Sequence, residues 1–288
     1  MRQSLLETGF WYGNALRSLG LPYGAVAAAV KMVQWLEVFH GLGTACLERY
    51  RRAPMAFDPG AARILAEDKA NLAVECGGQS SLLVGPGLLD MVTVTAQREG
   101  HAVARAAGLN HLAFLGALAE RAATRGLAAV VTFQAEAGSG EAKDLAALYS
   151  AGRGIVALPL PDAPAPLWAE LAAAPALHGL IFAEALPLGE ALAENALVPA
   201  EEAPPGCSLL CLDPAALDLE SFAATLRRAA RDGGAKLLEP AEVAQLKRQA
   251  VERGLEVDGR AWQRLARFAL TAVVPSSDES RAQAGADG

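Results

Sequence analysis

The chain of 288 residues is 52% apolar and 20% charged, a composition able to bury a sizeable core in one large domain or two interleaved ones. A net charge of -7 gives no basic field for a phosphate backbone, and no apolar run reaches the roughly 18 residues of a membrane helix. The opening Met1-Arg2-Gln3-Ser4 lacks the apolar stretch of a signal peptide, so the expectation is a cytoplasmic protein with neither nucleic acid nor membrane as partner.

Ser4-Leu5-Leu6-Glu7 is a capping-box pattern, which predicts a first helix running to about Leu19 and stopped by Gly20 and Pro22. Val26, Val30, Val33 and Leu36 recur at helical spacing, predicting a second helix from Ala25 to Phe39 that ends at His40-Gly41. His40 is thereby placed at a helix C-terminus, where the dipole favours its protonated form. Arg49, Arg51 and Arg52 read as solvated helix-end charges. Asp58-Pro59 reads as the cap and first residue of a short helix over Gly60 to Glu67, and Asn71 to Glu75 as a strand ending at Cys76-Gly77-Gly78. A helix from about Pro86 to Arg98 is closed by Gly100. The strand His101 to Ala107 follows, with His111 soon after it, then an alanine-rich helix from Phe114 to Thr124 and a buried strand from Ala128 to Phe133.

Ala135 to Gly140 reads as a polar loop, Gly154 to Leu160 as a strand entering a proline-rich turn, Leu177 to Leu186 as another strand, and Glu201 to Gly206 as a linker. Beyond it the pattern gives a strand over Cys207 to Leu212 and helices over Leu219 to Asp232, Pro240 to Arg253 and Gly259 to Phe268. The small, polar residues 275–288 are expected to form a disordered tail. The corresponding domain reading is a helical subdomain made by both chain ends, 1–56 and 207–274, around an α/β core over 57–206.

Cys46, Cys76, Cys207 and Cys211 are scattered through apolar context, without a C-x-x-C pair, and read as buried reduced thiols rather than metal ligands. Gly77-Gly78-Gln79-Ser80-Ser81 lacks the spacing of a dinucleotide fingerprint and reads first as a plain turn, second as a phosphate cradle. Gly138-Ser139-Gly140-Glu141-Ala142-Lys143 fails the spacing of a P-loop. Trp11, Tyr12 and Trp35 stand at core-compatible positions, for packing or a subunit interface.

Two short stretches point to chemistry: Trp35-Leu36-Glu37-Val38-Phe39-His40-Gly41, and Asn110-His111-Leu112-Ala113-Phe114-Leu115-Gly116. A histidine-glycine turn after an N-terminal helix pair, followed by an N-H-x-x-x-x-G turn between strand and helix, resembles the type 2 malate/L-lactate dehydrogenases. Val74-Glu75-Cys76-Gly77-Gly78 stands where that family has V-D-G-x-x-G. Leu238-Glu239-Pro240-Ala241-Glu242 with Gly254-Leu255-Glu256-Val257-Asp258 is similar to its P-G-E helix and G-I-x-L-D. The opening, with Leu21-Pro22-Tyr23-Gly24, also resembles a bacterial family of unknown function related to these enzymes. The resemblance implies a non-Rossmann α/β fold with N- and C-terminal helices packed together, a homodimer, NAD or NADP as cofactor, and a small carboxylic acid as ligand. It places His40 and His111 at the reacting centre, directed toward one cleft, with Asn110 beside His111 at the pocket rim; Arg153 or Arg49 is this chain's own candidate for binding the substrate carboxylate.

The departures matter equally. In the family's S-H-G-V/I-x-R motif, Phe39 replaces the serine and Thr44 the arginine that would clamp a carboxylate with paired charged hydrogen bonds. Ser150-Ala151-Gly152-Arg153-Gly154 stands in place of G-T-N-P. The segment that holds the family's P-L-G-G-x-K-G stretch is shortened to Asp162 through Pro205, in which Pro187-Leu188-Gly189 resembles its start. Two readings follow: a shortened, divergent oxidoreductase for a small 2-oxo, 2-hydroxy or imino acid, or a non-redox pseudoenzyme that keeps the dimeric scaffold to bind a small acid or a protein partner. Retention of both histidines favours the first; loss of the arginine and the cofactor motifs favours the second.

Overall fold

The computed structural model describes residues 1–52, 55, 57–135, 139–148, 154–171, 206–233 and 236–272. In chain order its elements are β1 (Arg2–Gln3), α1 (Leu5–Ser18), α2 (Tyr23–His40), α3 (Gly43–Tyr50), β2 (Arg63–Asp68), β3 (Asn71–Ser80), α4 (Ser81–Glu99) and β4 (His101–Asn110). They continue with α5 (Gly116–Thr124), β5 (Ala128–Gln134), α6 (Gly140–Leu148), β6 (Gly154–Leu158), β7 (Leu167–Leu171) and β8 (Gly206–Leu212). The last are α7 (Leu219–Gly233), β9 (Leu237–Leu238), α8 (Pro240–Arg253), β10 (Leu255–Glu256) and α9 (Gly259–Ala269). The strand expected over Leu177 to Leu186, the linker over 201–205 and the tail over 275–288 lie outside the described residues.

The chain divides into two compact units, one spanning Met1–Phe57 and Gln249 onward, the other Asp58–Arg248. In the first, α1 packs on α2 and α9, and α3 on α9. The two chain ends are joined by a short antiparallel ribbon, with Arg2 opposite Glu256 and Gln3 opposite Leu255. Local signals set the helix ends. Ser4 Oγ accepts from Glu7 N at 3.1 Å, Gly41 closes α2 at φ +68°, and Asp258 Oδ1 accepts from Arg260 N and Ala261 N at 2.7 and 2.8 Å. Inside, Glu48 accepts from Arg264 Nε at 2.8 Å and Arg51 at 3.4 Å, joining α3 to α9.

The second unit is built on an eight-stranded mixed sheet in the order β2-β3-β4-β8-β5-β6-β7-β9. β3 and β4 run parallel, linked through α4; the other pairings are antiparallel. Register aligns Val103, Leu210, Val130, Val156 and Ala169 in one row across five strands. That row is buried with Phe222, Ala223 and Leu226 of α7. The neighbouring row, Ala104, Leu209, Val131 and Ile155, is fully buried as well, with α4 packed on β3, β4 and β8 and α5 on β5 and β6. Each leucine so buried contributes about 2 kcal/mol of transfer free energy.

Two readings of the sequence need correcting. The boundary expected at residue 207 moves to about 249, because Gly206–Leu212 lies between β4 and β5 and is the strand that joins the two halves of the sheet. The helix expected over Gly60 to Glu67 is one 3-10 turn, Pro59–Ala61, capped by Asp58, after which the chain pairs as β2 with β3 through a tight turn at Lys69-Ala70. β7, which the sequence pattern does not single out, follows the proline-rich turn and forms a hairpin with β6, Leu167 opposite Leu158. All four cysteines are free and buried, and burial pushes Cys76 up to about 11 and Cys207 and Cys211 up to about 12. No helix among the described residues is long and apolar enough to cross a membrane.

Candidate active site

The carboxyl ends of the parallel strands β3 and β4 carry the first group of candidate residues. Gln79 lies opposite Leu109 and Ser80 opposite Asn110, after an irregularity in β3 where Gly77 and Gly78 adopt φ of +57° and +76°. Asn110 Nδ2 donates to Gly78 O at 2.8 Å, fastening the two strand ends together. The next residue, His111, adopts the left-handed conformation at φ +61° and ψ +46°, uncommon for a side chain of this size. Two side chains hold the backbone there: Ser81 Oγ donates to His111 O at 2.6 Å, and Leu112 N donates to Glu141 Oε1 at 2.5 Å.

His111 is 7% exposed, and burial lowers its pKa to about 4. Its imidazole is therefore neutral at physiological pH, with one nitrogen as donor and the other as acceptor. Such a group orients and polarises a carbonyl by donating a hydrogen bond, or accepts a hydrogen bond from a hydroxyl, without adding charge.

The glycine-rich turn does not fit a pyrophosphate. Gly77 N donates to Glu75 Oε1 at 2.9 Å, so a carboxylate already takes the amide that a phosphate would use. Gln79 Oε1 accepts from Asp58 N, Ser80 Oγ accepts from Leu82 N as the cap of α4, and Ser81 is committed to His111. These bonds join the turn to Asp58, to the start of α4 and to the His111 turn.

His40 belongs to the other unit. It is the last residue of α2, half-buried, with its ring centroid 5.5 Å from that of Trp35 at a tilt of 52°. Gly41 N donates to Glu37 O at 2.8 Å, which ends the helix. Thr44, where the family motif would carry arginine, is 1% exposed and turned into the helical core. Its N–H and Oγ1 donate to Glu37 Oε2 at 2.5 and 2.8 Å. Tyr12 Oη donates to the same oxygen at 3.2 Å and lies 2.7 Å from Thr44 Oγ1. Burial raises the Glu37 pKa above the ordinary carboxylate range, against the opposing pull of the Thr44 and Tyr12 bonds. Burial, then the Glu37 charge, carries Tyr12 well above its usual value. Position 44 thus has no free surface for an anion.

Asn110 is exposed at the end of β4, and Arg49 is exposed on α3. Arg153 lies outside the described residues. Glu37, Tyr12, Ser81 and Glu141 were not singled out from sequence as partners of the two histidine turns. One local clue existed: Gly43 directly precedes Thr44, and a Cβ there would collide with Val33 O, so α2 and α3 meet at that point.

No protein-family model matches this sequence, and no curated protein matches it significantly. Solved structures do match along nearly the whole chain. Malate dehydrogenase from Pyrococcus horikoshii is 14% identical with a TM-score of 0.64, over 95% of this chain and 96% of that one. Sulfolactate dehydrogenase from Methanocaldococcus jannaschii is 14% identical with a TM-score of 0.60, over 95% and 98%. Delta1-piperideine-2-carboxylate reductase from Pseudomonas syringae is 12% identical with a TM-score of 0.57, over 93% and 99%. An eight-stranded mixed sheet combined with a helical unit built from both chain ends is, on these matches, the malate/lactate dehydrogenase-like fold.

Proposed function

We propose that the protein is an oxidoreductase acting on a small 2-oxo, 2-hydroxy or cyclic imino acid, with NAD or NADP as its hydride partner. The observation that carries the reading is the fold, shared over at least 93% of both chains with enzymes whose names are those of malate and sulfolactate dehydrogenases and an imino acid reductase. The nicotinamide would supply or accept the hydride at the 2-carbon and would be held by residues other than the Gly77–Ser81 turn. His40, at the C-terminal end of α2, would hold the proton exchanged with the substrate oxygen or nitrogen. His111, neutral and fixed by Ser81 and Glu141, would hydrogen-bond the substrate without competing for that proton. Asn110 and Arg153 would take the carboxylate in place of the arginine this chain lacks. The same reading carries a homodimer and a cytoplasmic location.

Oxidation of NADH or NADPH at 340 nm against a panel of 2-oxo and cyclic imino acids tests it. Turnover that falls in His40→Gln and His111→Asn supports the assignment. Turnover indifferent to both substitutions would remove the two residues from it.

One observation favours the rival, a non-redox homologue that binds a small acid or a protein partner: Thr44 is sealed in the helical core by Glu37 and Tyr12. In that case the small acid binds and neither nicotinamide does.

A further inference from the structure

Glu37 grips the segment 38–43 at both of its ends. Its main-chain oxygen accepts Gly41 N–H at 2.8 Å, and its carboxylate accepts Thr44 N–H and Oγ1–H across the turn. The first turn of α3 would otherwise lack a cap, because Leu42 stands at the capping position and offers no side-chain acceptor. Every hydrogen bond to the carboxylate falls on Oε2; Oε1 is buried with no hydrogen-bond partner among the described residues. Gly43 permits the arrangement by letting the backbone of α3 pass against Val33 and Glu37, where a Cβ has no room. His40 lies inside the clamped segment, its ring against Trp35 on the preceding turn of the same helix.

A carboxylate 4% exposed is costly to bury, and a helix cap alone is served as well by a serine or aspartate at position 42. We propose that Glu37 is the positioning residue of the His40 turn: its buried carboxyl, held by Thr44 and Tyr12, fixes the backbone that presents the imidazole. The role rests on the reading in which His40 handles the substrate's proton. The groups facing the carboxyl are Tyr12 from α1, Thr44 from α3 and the charge of Asp258 ahead of α9. Among the described residues no cation bonds Glu37, and its hold on the turn is made by the neutral donors of Thr44 and Tyr12.

The test reads ring position rather than turnover. At pH 9 a histidine imidazole is neutral, and the ring current of Trp35 displaces the carbon-bound proton resonances of His40 from those of an unstructured histidine. In Glu37→Ala and Thr44→Val these resonances should return toward the unstructured values, while those of His101 stay in place. Glu37→Gln should keep the native His40 lines, because the amide oxygen accepts the same bonds from Thr44. If Glu37→Ala does not fold by circular dichroism, Thr44→Val, which removes one donor and keeps the volume, carries the same expectation. Variants that lower Tm yet leave the His40 lines at their native positions would overturn the proposal and reduce Glu37 to a helix cap. Native turnover in His40→Gln would instead sink the functional reading and leave the geometric result standing.

Discussion

Replacing His111 with asparagine should flatten the acid limb of the protein's stability curve. The folded imidazole titrates near 4 because of its burial, against an ordinary value of 6.5. Between those values the folded state binds fewer protons than the unfolded one, so stability rises with pH across that window. The contribution is complete above pH 6.5 and is lost as pH falls through 4. A gap of about 2.5 pH units, at 1.36 kcal/mol per unit, amounts to roughly 3 kcal/mol. Asparagine tolerates the left-handed backbone at this position, φ +61°, better than most residues, so the substitution removes the titration without forcing the turn. Urea unfolding followed by circular dichroism from pH 4 to pH 8, in the wild type and His111→Asn, isolates the term, since the carboxylates contribute equally to both curves. The wild-type curve should fall by about 3 kcal/mol relative to the variant. Parallel curves, or a His111 resonance titrating between pH 6 and 7, would refute the burial argument and with it the neutral role given to this imidazole.

Glu48 is held below the ordinary carboxylate range chiefly by its hydrogen bond to Arg264, so its stabilisation is present above that range and is lost as pH falls. Glu48→Gln should therefore cost about 1–2 kcal/mol at pH 7 and little at pH 3, read as the difference in Tm between variant and wild type. Gly43→Ala should cost about 2 kcal/mol or more, because the new methyl meets Val33 O. Gly41→Ala should cost about 1 kcal/mol, because its Cβ has open space and only the left-handed backbone resists; equal losses for the two would contradict the packing described.

The parts of the fold that sequence revealed are those whose signals sit beside the element they control. Ser4, Gly41, Gly100 and Asp258 bound helices close to the predicted positions, and the apolar run 128–133 is the core strand it suggested. β2 was missed because its strand character comes from pairing with β3. Its own residues, Ile64 and Leu65, are consecutive, exposed and interrupted by a bulge, so they show no alternation. β7 follows four prolines in eight residues, and α3 is an eight-residue helix without a side-chain cap at Leu42. The two histidine turns were legible as turns. That Thr44 faces Glu37 and Tyr12, that Ser81 and Glu141 hold the backbone around His111, and that burial keeps His111 neutral depend on contacts 7 to 32 residues apart, for which no local pattern exists.

Titration calorimetry of the full chain with NADH and with NADPH tests the central claim most directly, because the oxidoreductase and the non-redox readings share the fold, the histidines and a small-acid ligand and part company only at the nicotinamide. The account predicts a dissociation constant in the low micromolar range for one of the two. Absence of binding for both, in a protein that still binds a small 2-oxo or imino acid, would contradict it and leave the dehydrogenase scaffold without its redox partner.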